Sequence, residues 1–297
     1  MPRIDHVTNQ TIDIPTILEA ALMGDVDAQV MLSIAYETGK GVAKNEMLAM
    51  LWAKKAAKEG SSWAEFHLAT MYFNRIQGSN PREALRLFKR SSIEFPFGRT
   101  AIGIMYMNGL GVRRNYKKAF KHFSVTAISG CGLSYFCMAQ LVNWGVRGDR
   151  NMERVIDYFL RASDLGSTAA LVELGKIYQN GVDTEKNTML ARYYLRKAIW
   201  KGDDAGKAVL AYIYYKESMG LDEEKKAFDL ATQLAQKNIY AGQRLLSLFY
   251  EEGFGTLPDP KKSEFWCLAS ERNPRKSFHI HQGNETFNDV QLTLRKD

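Results

Sequence analysis

The chain repeats itself about every 36 residues, and this regularity decides most of what it can fold into. Large apolar residues stand in register at Leu32, Leu68, Ile102, Met138, Leu174, Leu210 and Leu246, at steps of 36, 34, 36, 36, 36 and 36. Four residues before each lies a small one: Ala28, Ala64, Gly98, Ser134, Ala170, Gly206 and Gly242. One residue after each lies another: Ser33, Ala69, Gly103, Ala139, Gly175, Ala211 and Ser247. Four residues after come Tyr36, Tyr72, Tyr106, Val142, Tyr178, Tyr214 and Tyr250. Offsets of −4, 0, +1 and +4 share one face of an α-helix. Small side chains there admit a neighbouring helix closely, and Leu and Tyr fill the remaining space. A unit this short buries only one face by itself, so stacked copies must complete the core.

A second helix follows the first in each unit. Asn45, Asn80, Asn115, Asn151, Asn187 and Asp259 mark its start, with a weaker signal near Glu223 in the sixth unit. Asn and Asp side chains accept hydrogen bonds from the free N–H groups of a first turn, so this column reads as N-caps. Gly60, Gly130, Gly166 and Gly202 end the second helix, with Gly24 ending a lone helix ahead of the array. Pro96 in the exit of the second unit predicts a local kink. The expected architecture is all-α: a right-handed α-solenoid of about seven helical hairpins with an N-terminal capping helix. Its predicted parts are an arm over 1–11, a capping helix over 12–24, seven repeats over 25–273 and a tail over 274–297. The tail alternates Val290, Leu292 and Leu294 and is expected to cap the last repeat.

Segment 28–60 reads AQVMLSIAYETGKGVAKNEMLAMLWAKKAAKEG. The loop motif within it recurs as Gly109-Leu110-Gly111-Val112 and as Gly253-Phe254-Gly255. It shrinks to Gly145-Val146 and Gly181-Val182, and is lost in the second and sixth units. On these residues the chain resembles the Sel-one-like repeat family, a relative of the tetratricopeptide repeats, whose unit is about 34 residues. The resemblance implies a scaffold or adaptor that binds another protein. It also implies roles in bacterial signalling and envelope processes, or, as an alternative, an immunity protein that neutralises a secreted toxin such as a type VI effector. Secreted members often carry a Cys pair in each repeat; Cys131, Cys137 and Cys267 make no such set.

No constellation for catalysis stands out. GxSxG, GxxxxGK[ST], HExxH and EF-hand loops are absent. The Gly-x-Gly pairs follow helices rather than strands, which disfavours a dinucleotide site. His6, His67 and His122 are scattered, and His279 with His281 supplies too few ligands for a closed zinc site. The expectation is a protein that is not an enzyme, with no cofactor and no metal. No run of about 18 apolar residues occurs, so no helix is expected to insert into a membrane. The first residues lack a signal-peptide pattern and the cysteines lack a disulfide framework, so the expected compartment is the cytoplasm.

Two surfaces are expected to carry function. By helical spacing and the tetratricopeptide analogy, Val30, Ile34, Phe66, Phe73, Ile104, Met107, Phe136, Trp144, Tyr212 and Tyr215 face a concave groove. Apolar and aromatic anchors of this kind dominate binding energy at protein interfaces. The competing expectation is that neighbouring repeats bury several of them. The second surface is electrostatic. The chain carries a net charge of +7, and residues 95–148 hold Arg99, Arg113, Arg114, Lys117, Lys118, Lys121 and Arg147 with no Asp or Glu. Lys118 matches a position where Lys is the family's consensus. Arg99, Arg113, Arg114, Lys117, Lys121 and Arg147 therefore form the expected basic patch, suited to an acidic protein partner and less to nucleic acid.

Overall fold

The structure is a computed structural model that describes residues 13–74, 80–146, 150–181, 183–218 and 220–274. The expected arm (1–11), most of the tail, Arg147, and His6, His279 and His281 lie outside the described residues. Among the described residues there are fifteen α-helices and no strand. After α1 (Ile14–Leu22) they run α2 (Val26–Thr38), α3 (Glu46–Lys58), α4 (Ser62–Phe73), α5 (Pro81–Ser91), α6 (Pro96–Asn108), α7 (Tyr116–Ile128) and α8 (Gly132–Asn143). Then come α9 (Met152–Asp164), α10 (Thr168–Asn180), α11 (Thr188–Trp200), α12 (Asp204–Glu217), α13 (Leu221–Gln236), α14 (Tyr240–Glu252) and α15 (Pro260–Glu271). The chain divides into two compact units, Met1–Leu141 and Val142–Asp297.

Within the first unit, α1 packs on α2, and α2–α3, α4–α5 and α6–α7 form hairpins that pack in chain order. Within the second unit, α9 packs on α10, and α10–α11, α12–α13 and α14–α15 repeat the arrangement. The even-numbered helices also meet directly: α2 touches α4, α10 touches α12, and α12 touches α14.

The two columns of small residues have separate jobs. A Cβ placed on Gly103 would lie 2.6 Å from Cε1 of Phe123, and one on Gly175 would lie 2.6 Å from Cγ of Leu195. The +1 column thus seats each first helix on the second helix of its own hairpin. At −4, Gly98 lies against Phe88, Ser91 and Ser92 of the preceding hairpin, and Gly206 against Leu195, Ala198 and Ile199. That column joins consecutive repeats. Phe88, Phe123, Phe159 and Phe249 are the largest fully buried side chains.

The cap column behaves as the sequence indicates at most positions. Asn45, Asn80, Asn115, Asn151, Asn187 and Asp259 each accept from a first-turn backbone N–H. The sixth unit differs from expectation. There α13 begins at Leu221, ahead of Glu223, and its N-cap Gly220 offers no side chain. Asp222, Glu223 and Glu224 in its first turn supply negative charge at the positive end of the helix dipole instead. Pro96 is the first residue of α6 rather than a kink, because its fixed φ suits a helix start and its missing N–H is not needed there.

Candidate partner-binding surface

The structure divides the ten expected groove residues. Val30, Ile104, Met107 and Phe136 are buried, which corrects the expectation that they form open surface. Val30 shows why: it packs with Ala56 and with Ala64, the small −4 residue of the next repeat. Helices that approach closely through small residues cover what lies between them. Ile34, Phe66, Phe73, Tyr212 and Tyr215 are half-buried, and Trp144 is 39% exposed. In the first unit the Phe66 ring stacks on Phe95 (6.2 Å between centroids) and tilts against Phe88, while Phe73 meets Phe88 edge-on. These rings are part of the packing and stay half-buried.

In the second unit Tyr212 and Tyr215 lie 6.4 Å apart, and the Lys216 Nζ stands over both rings at 5.8 and 5.0 Å. The Tyr215 hydroxyl donates to the Glu252 carboxylate at 2.9 Å. Burial, and then that carboxylate, pushes the Tyr215 phenol up to about 12. At the end of the same helix, Glu217 accepts from Gln179 Nε2 (2.8 Å), Thr188 Oγ1 and Lys186. Lys216 and Glu252 share the register of Trp144, six residues past the large apolar position, but as charged residues they were not counted among the apolar anchors; Glu217 lies one residue further on.

A buried polar knot sits in the first unit. Ser33 donates to the Ala49 carbonyl at 2.7 Å, and its oxygen lies 2.8 Å from His67 Nε2. With the Ser33 proton committed to Ala49, His67 is the donor, so Nε2 carries the hydrogen. Glu37 approaches the same nitrogen at 4.0 Å. A nucleophile–base pair needs the reverse polarity, with the histidine accepting from the serine. This arrangement ties two repeats together instead.

Burial pushes the His67 imidazole down to about 4 from 6.5. The unfolded chain therefore binds the extra proton first, and this group's stabilisation, of order 3 kcal/mol, is complete above pH ~6.5 and lost as pH falls toward ~4. Glu37, raised by burial, acts with the opposite sign at the acid end. Denaturant midpoints measured from pH 4 to 7 should fall with acid in the wild type and fall much less in His67→Gln. Parallel curves would show that His67 does not carry the dependence.

Cys137 is buried, and burial pushes its thiol up, away from the reactive thiolate. Among the described residues no cluster of three His, Cys, Asp or Glu could hold a metal, and no helix is long and apolar enough to cross a membrane.

Of the expected basic patch, Arg113 and Arg114 line one concavity. Gly109 (φ +72°) ends α6 and Gly111 (φ +67°) turns the loop against α5; a Cβ on Gly111 would meet the Pro81 carbonyl at 2.7 Å. The loop then projects Arg113 and Arg114, both exposed. With Tyr106, Val112, Asn115 and Lys118 they line a concavity of about 610 Å³. Arg114 stands 5.5 Å over the Tyr116 ring and Lys118 5.3 Å over the Tyr106 ring. Tyr106 in turn stacks on His122 at 5.7 Å. Burial and then the charges of Arg99, Lys121, Lys89 and Lys118 hold the His122 imidazole below its ordinary value. Lys117 is exposed in the first turn of the same helix. Tyr106, Lys118, His122 and Lys89 were missed as members of this face: Tyr106 reads from sequence as core, and Lys89 belongs to another repeat.

The Sel1 repeat pattern matches residues 26–61, 64–92, 98–130, 138–167, 168–203 and 241–274. The chain belongs to the Sel1 repeat family. The unmatched stretch holds α12 and α13, where both the loop motif and the capping Asn are missing. Over 174 residues this Sel1 repeat protein is 30% identical to chitin synthase regulatory factor 3 of Schizosaccharomyces pombe, spanning 56% of this chain and 19% of that one. Over 252 residues it is 24% identical to the Neisseria meningitidis protein NMB1327, spanning 83% of this chain and 52% of that one. It therefore spans about half or less of the length of these curated relatives. A protective antigen present in uropathogenic Escherichia coli, which displays the same repeat fold, superposes with a TM-score of 0.67 at 24% identity, over 86% of this chain and 56% of that one. That likeness establishes the fold, an all-α helical-repeat solenoid.

Proposed function

We propose that this Sel1 repeat protein is a non-enzymatic interaction scaffold. Its partner is another protein, held by the half-buried residues of the first helices and by the basic face of the third repeat. The observation that carries this reading is the pairing, within the second unit, of the partly exposed rings of Tyr212 and Tyr215 with Lys216, which forms no ion pair among the described residues. Rings of this kind supply contact area at small entropic cost, and unpaired charge selects the partner. The buried residues Val30, Ile104, Met107 and Phe136 hold the helices that present the surface.

The test is site-specific photo-crosslinking in the native cell. Benzoylphenylalanine in place of Phe73 or Tyr212 should give discrete protein adducts, whereas the same group at Lys197, on a second helix, should give none. Adducts at all three positions alike, or at none, would remove the scaffold reading.

A further inference from the structure

The third repeat carries its cations without local neutralisation. On the neighbouring α5, Arg86 pairs with Glu83 and Arg90 with Glu65. No described residue between 95 and 146 is Asp or Glu, and none of Arg99, Arg113, Arg114, Lys117, Lys118 and Lys121 pairs with a carboxylate among the described residues. Some of these charges also meet in space. Arg113, Arg114 and Lys118 line the concavity, Lys118 covers Tyr106, and Tyr106 stacks on His122. Lys118 and Lys121 are three residues apart on one face of α7, and Arg99, Lys89 and Lys121 all act on His122 from α6, α5 and α7.

We propose that this strip is a docking site for an acidic peptide segment, a run of Asp and Glu side chains on the partner protein. The segment lies from the Arg113–Arg114–Lys118 concavity along α7 toward Lys121, Lys89 and Arg99. This rests on the scaffold reading and names the chemistry of its partner. Two features favour an extended run of carboxylates over one compact anion. The concavity, at about 610 Å³, holds several side chains, and the cations continue beyond it along α6 and α7 and onto α5. Guanidinium groups grip carboxylates in pairs, whereas lysines act as point charges along the remainder.

The test uses the full chain and a fluorescein-labelled octaglutamate peptide, read by anisotropy at about 0.05 and 0.15 M salt. Binding should weaken at least about tenfold in Arg113→Glu/Arg114→Glu and also in Lys89→Glu/Lys121→Glu. It should change less than about twofold in Lys201→Glu/Lys261→Glu, which alters net charge equally on exposed positions of the second unit. Helicity by circular dichroism should match the wild type in all three.

Equal loss in all three variants would overturn the site in favour of general charge attraction. Loss confined to the Arg113/Arg114 pair, or full competition by low-millimolar inorganic phosphate, would replace the strip with a single-anion pocket. Tighter binding of a fifteen-residue oligothymidine, lost in the same variants, would assign the face to nucleic acid. Absence of octaglutamate binding alongside position-specific crosslinks would overturn this proposal and leave the scaffold reading in place.

Discussion

Gly103→Ala is expected to destabilise the protein by roughly 2–3 kcal/mol, read as a lower denaturant midpoint with an unchanged slope. The added methyl would sit 2.6, 2.9 and 3.0 Å from three ring carbons of Phe123. Phe123 is fully buried, so the ring has no open side toward which to move. Phe123→Ala alone is expected to cost about 3–5 kcal/mol through the cavity it leaves. The informative measurement is the double variant. A methyl on Gly103 partly fills the space that the ring vacates, so the two costs should fall short of their sum by more than about 1 kcal/mol. Strict additivity would mean that the α6–α7 spacing is not set by this contact.

Gly242→Ala should cost at least about 3 kcal/mol and resist rescue. Here the methyl would run into Leu234 Cβ, and would meet the Ala235 amide nitrogen at 2.6 Å and the Ala231 carbonyl at 2.8 Å. These atoms belong to or adjoin the backbone of α13, and a buried helix backbone cannot step aside as a ring can. Relief requires α14 to move away from α13, which opens the packing around Leu245, Leu246 and Phe249. Shortening Leu234 leaves its Cβ in place, so Leu234→Ala should restore nothing. Amide hydrogen exchange should quicken over α13 and α14 in the variant. A cost below about 1 kcal/mol, or rescue by Leu234→Ala, would show that the two helices have slack.

The repeated positions were legible because each reports a local requirement. Asn115 caps α7 because the first turn of any helix leaves N–H groups free, and a single residue of the right type meets that need. Where the local signal fades, so did the reading: α13 starts ahead of Glu223 because Gly220 and three acids replace the side-chain cap. The groove was only half legible. Val30 and Ile34 were both expected to line the groove, yet the first is buried and the second half-buried. Part of what covers Val30 is Ala56 of its own hairpin, and the rest is Ala64, 34 positions later in the next repeat.

By itself, the sequence determined the hairpin, its period, the helix that precedes the array, and the small columns through which helices meet. It also determined that acidic residues are missing from 95–148. Only the tertiary structure decided which apolar side chains stay at the surface, and that Tyr106, stacked on His122, lines the same concavity as the basic loop. The physical reason is range. A helix face follows from neighbours three or four residues away, whereas exposure and unpaired charge depend on how closely another repeat's backbone approaches.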